Sequence, residues 1–227
     1  MKFGAIVQAR MTSERFPGKV LYEVGGKPML QYLLERLEHC GGLDGIVVAT
    51  SAEASDDPLA AFCRRYGVAG YRGDLEDVAS RFNDVVREYH FNAFVRINGD
   101  SPLLDQRLIE KGLKIFRGGD YDLVTNVMPR TYPRGQSVEV LLADTYRDAC
   151  VRMREAADRE HITRYYYRHP GDFRIRNFSS RRDLSGITLC VDTPEDMDNF
   201  AAAVARLNRP HWEYRLGDIL RIYRRLP

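Results

Sequence analysis

Three cationic side chains follow the first apolar segment of the chain at short intervals. Arg10, Arg15 and Lys19 lie within the segment QARMTSERFPGK, directly after the apolar run at residues 3–7. Strands of α/β proteins end in ligand-binding loops, and a loop rich in cations suits the charge of a polyphosphate. The Pro-Gly pair before Lys19 prevents a simple helix and lets the backbone approach a ligand closely. The loop therefore predicts a site for a nucleoside triphosphate, with Arg15 and Lys19 beside the reacting phosphate.

Two aspartates stand at the ends of other apolar runs. Asp100 follows the run at residues 93–97, and Asp192 ends the run at residues 187–191. The carboxyl ends of parallel strands meet at one edge of a sheet, so these carboxylates could hold one Mg²⁺ together with phosphate oxygens. For Asp192 the local pattern by itself favours a cap of the helix that follows.

Strand and helix signals alternate along most of the chain. Apolar runs predict strands at residues 3–7, 45–50, 68–71, 93–97, 122–125, 138–142, 173–178 and 187–191. Helical periodicity and capping signals predict helices at residues 28–38, 58–66, 77–89, 105–116, 144–153, 159–167 and 195–207, and a short last helix within residues 211–227. This order predicts parallel βαβ units and a three-layer α/β/α fold with a mainly parallel sheet, as a single domain over residues 1–227.

The composition is that of a globular protein without a membrane segment. Hydrophobic residues make up 44% of the chain and charged residues 29%, and no apolar run approaches the roughly 20 residues that span a bilayer. The four cysteines are scattered, without metal-ligand spacing, which predicts reduced thiols in a cytoplasmic protein. The first residues lead straight into a strand, so we expect no signal peptide.

The basic residues are unevenly distributed. Residues 129–182 carry 12 basic and 7 acidic residues, although the whole chain has a net charge of +2. Arginine suits bidentate contacts to carboxylate and phosphate, so this block fits an anionic small molecule. Runs of basic residues with interleaved aromatics are absent from the sequence, and the pI of about 8.3 is below the usual range of nucleic-acid-binding domains. We therefore expect no nucleic-acid partner.

Six segments of the chain, in order, resemble one known family. They are QARMTSERFPGKVLYEVGGKPML near the start, YRGDLEDVASR at residues 71–81, RINGDSPLLD at 96–105, TNVMPRTYPRGQSVEV at 125–140, DREHIT at 158–163 and VDTPEDM at 191–197. They resemble the cytidylyltransferases that activate acidic sugars, the acylneuraminate and 3-deoxy-manno-octulosonate cytidylyltransferases, and most of all the group named for spore coat polysaccharide biosynthesis. The resemblance implies a nucleotide-diphospho-sugar transferase type of fold. It also implies Mg²⁺-dependent transfer of CMP from CTP to an acidic sugar, with release of pyrophosphate, for a surface polysaccharide. It further implies a homodimer, with residues 126–182 as an acceptor and dimerisation subregion.

The resemblance also assigns roles to individual residues. Arg15, Lys19 and Asp100 would act in catalysis, and Asp100 and Asp192 would bind the metal. The nucleotide would be bound by Gln8, Ala9, Arg10, Ser13, Arg72, Arg81 and Asn98. The acceptor would be bound by Arg130, Arg134, Glu139, Arg159 and His161.

Two other functions remain open at this point. One is a glycosyltransferase of the related fold, in which Asp120 and Asp122 form a DxD-like motif. The other is a nucleotide-binding protein without catalysis. Neither the P-loop pattern GxxxxGK[ST] nor the dinucleotide pattern GxGxxG occurs in the sequence, so the triphosphate loop is of another kind.

Overall fold

The computed structural model describes residues 1–226, and residue 227, the end of the predicted last segment, lies outside them. Its strands are β1 (Phe3–Gln8), β2 (Glu23–Val24), β3 (Lys27–Pro28), β4 (Gly45–Ser51), β5 (Ala69–Gly73), β6 (Ala93–Asn98), β7 (Leu123–Thr125), β8 (Glu139–Leu142) and β9 (Ile175–Asn177). Its α-helices are α1 (Met29–Glu38), α2 (Asp57–Tyr66), α3 (Val78–Glu88), α4 (Gln106–Arg117), α5 (Ala143–Arg152), α6 (Ala156–Glu160), α7 (Arg164–Arg168), α8 (Pro194–Val204) and α9 (Leu216–Tyr223).

Seven of the strands form one sheet, in the order β5-β4-β1-β6-β8-β7-β9, and β2 and β3 form a small separate hairpin. Strand β8 runs antiparallel to both of its neighbours, while the other pairings in the large sheet are parallel. Two hydrophobic clusters cover the two faces of this sheet. The prediction of a three-layer α/β fold with a mainly parallel sheet is confirmed.

Alternating side chains of the central strands enter different layers. Ala5 and Val7 of β1 pack in the cluster that contains α1, whereas Ile6 between them packs in the cluster that contains α3. A strand that is apolar on both faces is typical of the middle of a parallel sheet. The helices begin at local caps: Asp77 accepts from the Ser80 amide at the start of α3, and Thr193 forms a capping box at the start of α8. Thr193 is the cap of α8, and Asp192, which the local pattern favoured as a cap, is not.

Two predicted elements differ from the structure. Residues 187–191 do not form a strand, although an isolated bridge joins Arg134 and Thr188. The amides of this segment bond to loops rather than to a strand: that of Leu189 to the Arg134 carbonyl and that of Val191 to the Asp100 carbonyl. Its apolar side chains nevertheless pack in the core, which explains the strand-like pattern.

The helix predicted at residues 159–167 is two short helices, α6 and α7. The backbone leaves the helical region at His161, where φ is −111° and ψ is 76°. Asp158 is buried and pairs with Arg164 and Arg168 of the second helix. Because these arginines meet the carboxylate only when the chain bends, the ion pairs stabilise the break.

Candidate active site

The cationic loop after β1 is held at both ends by backbone hydrogen bonds. The Met11 amide donates to Asp56 Oδ1 at 2.6 Å, and the Gly18 amide donates to the Met11 carbonyl at 2.8 Å. Gly18 has a φ of +76°, a left-handed conformation that glycine adopts at little cost. Burial would raise the pKa of the Asp56 carboxyl, but hydrogen bonds from Met11 and Ser51 outweigh it and lower that pKa. An ionised buried carboxylate therefore anchors the loop.

Two cations of this loop meet the same carboxylate across the sheet edge. Lys19 Nζ lies 2.8 Å from Asp192 Oδ1 and donates to the Val191 carbonyl at 2.7 Å. Arg15 lies 3.1 Å from the other oxygen, Asp192 Oδ2. Lys19 is only 7% exposed, whereas the Arg15 side chain is 67% exposed, so the lysine forms the floor of the site and the arginine its rim.

Asp100 lies beside this group at the end of β6. Its carboxylate accepts from Ser101 Oγ at 3.0 Å, and its carbonyl accepts from the Val191 amide at 2.8 Å. The loops approach closely because residue 99 is glycine: a Cβ there would lie 2.9 Å from that of Ala9. These contacts bring the loops after β1 and β6 and the segment before α8 to one place.

The two aspartates have opposite pKa shifts. Burial raises the pKa of Asp100, and the nearby charge of Asp192 adds to that increase. Burial also acts to raise the pKa of Asp192, but the hydrogen bond and charge of Lys19, together with Arg15, lower it overall. Asp192 is thus a stable anion in the ligand-free protein, and Asp100 is the carboxylate that a further cation would stabilise.

These residues line a cleft of about 360 Å³ at the carboxyl edge of the sheet. A second cleft of about 310 Å³ adjoins it, and Asn98, Asp100 and Asp192 line both. The predicted site residues that line the first cleft are Gln8, Ala9, Arg10, Ser13, Arg15, Lys19, Asn98, Asp100, His161 and Asp192. Arg130 and Arg134 line the second. The structure therefore brings together most of the side chains that the sequence singled out.

Arg72 and Arg81, predicted to contact the cytidine, do not line either cleft. Arg72 pairs with Asp57 at 2.6 Å and donates to the Ser51 and Glu53 carbonyls. Arg81 is 1% exposed and donates to the Asp74 carbonyl at 2.7 Å. In this ligand-free arrangement both arginines support the loops around the cleft, and their contact with a nucleotide stays a prediction.

Glu139 and Arg159, predicted to bind the acceptor, also lie outside the lining of both clefts. Glu139 is buried and pairs with Arg96 Nη1 at 2.8 Å. The Arg159 side chain contacts α3 instead of a cleft: its Nε lies 2.8 Å from Oδ2 of Asp77, the cap of α3. Both side chains hold neighbouring elements together, and their predicted role toward an acceptor stays untested.

The DxD-like motif lies away from the clefts. Asp120 and Asp122 precede β7, and β7 runs parallel to β6, so they lie at the opposite edge of the sheet from Asp100. Both carboxylates pair with Arg174. This position gives no support to a glycosyltransferase that uses these aspartates.

Three residues of the site were not identified from the sequence. Arg96 and Glu160 line the first cleft, and Glu160 lies 3.8 Å from Arg10. Asp56, which anchors the cationic loop, was overlooked because Asp57-Pro58 has the stronger capping signal. Arg96 carried a usable signal, because a charge inside an otherwise apolar strand requires a partner or a ligand.

The donor set fits a magnesium ion that arrives with phosphate. Mg²⁺ is usually held by one or two carboxylates together with water and substrate phosphates, and Asp100 and Asp192 line the cleft beside three cations. Within residues 1–226 there is no group of three or more His, Cys, Asp or Glu side chains that could hold a metal by themselves. The two aspartates would therefore need substrate oxygens to complete the coordination.

Comparison with known proteins identifies the family of the chain. The sequence model of the family described as Cytidylyltransferase matches residues 4–214. The spore coat polysaccharide biosynthesis protein SpsF of Bacillus subtilis is 32% identical over 206 residues, which cover 87% of this chain and 84% of that protein. An 8-amino-3,8-dideoxy-manno-octulosonate cytidylyltransferase of Shewanella frigidimarina is 33% identical over 130 residues, 55% of this chain and 52% of that enzyme. A solved cytidylyltransferase of Leptospira borgpetersenii serovar Hardjo-bovis superposes with a TM-score of 0.94 at 28% identity, over 99% of this chain and 94% of that one.

None of the helices between residues 1 and 226 combines the length and the apolar character that crossing a bilayer requires.

Proposed function

The chain belongs to the cytidylyltransferase family and is a nucleotidyltransferase, and on that premise we propose that it transfers CMP from CTP to a hydroxyl of an anionic sugar-like acceptor. Pyrophosphate is the second product. The observation that carries this proposal is the convergence of Lys19 and Arg15 on Asp192 beside Asp100, at the edge of the sheet where β1 and β6 end.

The cationic loop is the triphosphate half of the proposed site. Each of its three cations pairs with a carboxylate in the ligand-free protein: Arg10 with Glu160, and Arg15 and Lys19 with Asp192. Phosphate oxygens are equally good partners for these groups, so CTP can replace the carboxylates without leaving the buried Lys19 unpaired. Lys19 and Arg15 then stabilise the negative charge that grows on the α-phosphate and the leaving pyrophosphate.

Asp100 and Asp192 are the residues that would hold Mg²⁺ on the triphosphate. The ion, when bound, supplies Lewis-acid polarisation of phosphate oxygens and charge neutralisation. Lys19 and Arg15 release Asp192 as they turn to the phosphates, which makes its carboxylate available at the moment the nucleotide enters. Ser101, which donates to Asp100, orients that carboxylate toward the same place.

The second cleft is the proposed acceptor half. Arg130 and Arg134 line it, and Asp100 and Asp192 connect it to the triphosphate half. Its two arginines suit electron-rich oxygens of the incoming sugar. The octulosonate named in the Shewanella relative is a sugar acid of this kind, and the Bacillus relative is named for polysaccharide biosynthesis. We therefore assign this chain to the supply of an activated acidic sugar for a surface glycan.

We also propose that the enzyme is a cytoplasmic homodimer in which residues 126–182 take part in the contact and in acceptor binding. CTP is a cytoplasmic metabolite, and all four cysteines are free thiols, which suits a reducing compartment. Sedimentation velocity at micromolar concentration tests the assembly: a species of twice the mass of 26.1 kDa is expected, and a monomer at all concentrations would reject this part.

Turnover is the test of the proposed function. Pyrophosphate release is measured from CTP and Mg²⁺ with a panel of 2-oxo sugar acids, with the other nucleoside triphosphates as controls. We expect release with CTP and at least one acid, and a loss of at least 100-fold in Asp100→Asn. CTP binding by calorimetry without turnover on any acceptor would instead indicate a nucleotide-binding protein, and full activity of Asp100→Asn would reject the metal assignment.

A further inference from the structure

A row of buried polar side chains crosses three strands and opens into the first cleft at one end. Thr125 of β7, Glu139 of β8 and Arg96 of β6 are directly paired in the sheet register. The residues two positions away on the same strands, Leu123, Leu141 and Phe94, pack in the cluster on the α3 face. Side chains two residues apart on a strand face the same side, so all three polar residues face that layer. A row of this kind inside an apolar layer is costly unless each group has a partner.

The inner members of the row are fully paired. Glu139 Oε2 accepts from Arg96 Nη1 at 2.8 Å, and Glu139 Oε1 accepts from the Tyr167 hydroxyl at 2.5 Å. The same hydroxyl lies 2.8 Å from Thr125 Oγ1. Tyr167 belongs to α7 and covers the row from above. Both oxygens of Glu139 are therefore in use, and the carboxylate is held in one orientation.

Arg96, the member of the row nearest the cleft, is not fully paired. The Arg96 side chain is 13% exposed and lines the first cleft beside Asn98, Glu160 and His161. Its Nε is buried and has no hydrogen-bond partner among the described residues. A guanidinium presents its donors as a planar fork that fits a carboxylate with two parallel hydrogen bonds. One side of this fork is fixed by Glu139, and the buried Nε has no partner within residues 1–226, so the guanidinium is not fully satisfied.

The position of Arg96 indicates which ligand this is. The triphosphate cations lie on the loop after β1. Arg96 lies on β6, which has β1 on one side and β8 on the other. Glu139 already neutralises its charge, so Arg96 adds little to a long-range field for phosphate and instead offers a directed contact. The three cations of the loop already serve the triphosphate in the proposed site, so the acceptor carboxylate is the anion left for this contact.

We propose that Arg96 is a specificity residue that binds the carboxylate of the acceptor, and that Glu139 and Tyr167 are positioning residues that hold its guanidinium. This inference rests on the proposed function, since it concerns the acceptor of that reaction. In this proposal Glu139 does not contact the acceptor itself. It acts through Arg96, whose guanidinium it holds in place. Arg130 and Arg134 in the adjoining cleft then bind other groups of the acceptor or of the triphosphate.

The kinetic test compares each acceptor acid that is turned over with its uncharged C1 amide. We expect the wild-type protein to prefer the acid by about 10- to 100-fold in kcat/KM, the range for a hydrogen bond to a charged group. Arg96→Gln is expected to reduce this preference to less than about threefold, with the KM for CTP unchanged. Arg176→Gln, an exposed arginine on β9, is the matched control and should keep the full preference.

Arg96→Gln leaves Glu139 buried without its cation and could fail to fold. The double variant Arg96→Gln/Glu139→Gln removes both charges and keeps the side-chain volumes, so it provides a folded protein in which the same loss of preference is expected. Glu139→Gln and Tyr167→Phe keep the arginine: we expect a several-fold higher KM for the acid, a lower acid-to-amide ratio and a kcat within about threefold of wild type. An unchanged ratio in the double variant, or a selective rise in the KM for CTP, would overturn the proposal.

A spectroscopic test does not depend on turnover. The Nε–H resonance of Arg96 is assigned by its loss in Arg96→Lys, and pyruvate is added as the simplest 2-oxo acid, with pyruvamide as the neutral control. We expect a shift with pyruvate and not with pyruvamide, even if no acceptor releases pyrophosphate. No shift up to about 50 mM pyruvate, well above the millimolar range of weak binding, would reject the anion contact, whereas a shift without any turnover would reject only the proposed reaction.

Discussion

Two regions of the molecule reach the cleft in different ways. In the first, residues 1–122, β1, β4, β5 and β6 run parallel, and the site residues follow β1 and β6 directly. We call this the parallel region. In the second, residues 123–192, β8 runs antiparallel to its neighbours and two short helices replace a long one. We call this the acceptor region, after its proposed role.

Charged side chains of the two regions pair with each other, including the loop cations with Glu160 and Asp192, but the backbones that carry them are held differently. The loop of the parallel region is positioned by its own backbone, through Met11, Gly18 and the anchor Asp56. In the acceptor region, Glu139 and Arg159 are held by partners from the parallel region, Arg96 and Asp77. Substitutions in the first region should therefore affect chemistry more than stability, and substitutions in the second should affect both.

The largest effect is expected from Lys19→Met. Lys19 is buried at the base of the cleft, whereas Arg15, which pairs with the same carboxylate, lies at the exposed rim. Removal of a preorganised cation from a phosphoryl-transfer site costs about 100- to 1,000-fold in rate, so we expect this loss in the kcat/KM for CTP, measured by pyrophosphate release. Lys114→Met, an exposed lysine on α4, is the control. A loss below tenfold would contradict a catalytic role for Lys19.

Two glycines allow a direct comparison of the regions. Gly135 has a φ of +85°, and a Cβ there would lie 2.7 Å from the Cys190 amide nitrogen, a backbone atom that cannot move aside. Gly18 has a similar φ of +76°, but its nearest neighbour would be Met11 Cε at 3.6 Å. We expect Gly135→Ala to lower the free energy of unfolding by more than about 2 kcal/mol and Gly18→Ala by about 1 kcal/mol. Urea unfolding measures both, and equal losses would show that close packing does not distinguish the regions.

The C-terminal segment is expected to make the parallel region sensitive to acid. His211 packs against α1, its Nε2 is 2.6 Å from Glu35 Oε2, and burial lowers its pKa to about 4, an effect that the hydrogen bond to Glu35 only partly offsets. An unfolded chain binds a proton on this histidine near pH 6.5, so stability is complete above that pH and decreases as the pH falls toward 4.

The expected loss from His211 is about 2–3 kcal/mol between pH 6.5 and 4. His211→Gln removes the titrating group, so its unfolding free energy should depend less on pH in this window. Hydrogen exchange at pH 5 should show weaker protection of α1 than of α5, which lies in the acceptor region. Equal pH dependence of the variant and the wild type would rule out this role of His211.

The smallest effect is expected from Arg159→Gln. Arg159 joins α6 to the cap of α3 through Asp77 and also donates to the Met153 carbonyl at 3.2 Å. Its side chain is 34% exposed, so solvent screens the pair and we expect a loss of only about 1 kcal/mol in unfolding free energy. The KM for the acceptor should rise a few-fold while the KM for CTP stays constant. Arg147→Gln, which breaks a more exposed pair with Asp144, should change neither value.

Local sequence patterns predicted the elements of the parallel region well. The buried strands of a parallel sheet are continuous apolar runs, and the helices between them have apolar faces and local caps, so each can be recognised from its own residues. The same reasoning wrongly predicted a strand at residues 187–191, because core packing of Leu189 and Val191 produces an apolar pattern without any strand pairing.

The site residues also divide into those that local sequence identifies and those that only long-range contacts identify. The loop from Gln8 to Lys19 could be identified because it follows a strand and is rich in cations. The partner of Lys19 could not be identified in this way, because Asp192 lies 173 residues further along the chain and its neighbours resemble an ordinary helix cap. Arg96, Glu139 and Tyr167 were likewise separate features until the sheet register brought them into contact.

The sequence by itself therefore determined the fold class, the cationic loop and the position of Asp100 at the end of an apolar run, because burial, periodicity and turn chemistry are local properties. The tertiary structure decided which carboxylate each cation meets and which arginine of the cleft lining retains a buried donor without a partner among the described residues. Those outcomes depend on the order of the strands and on their register, which join residues that are far apart in the chain.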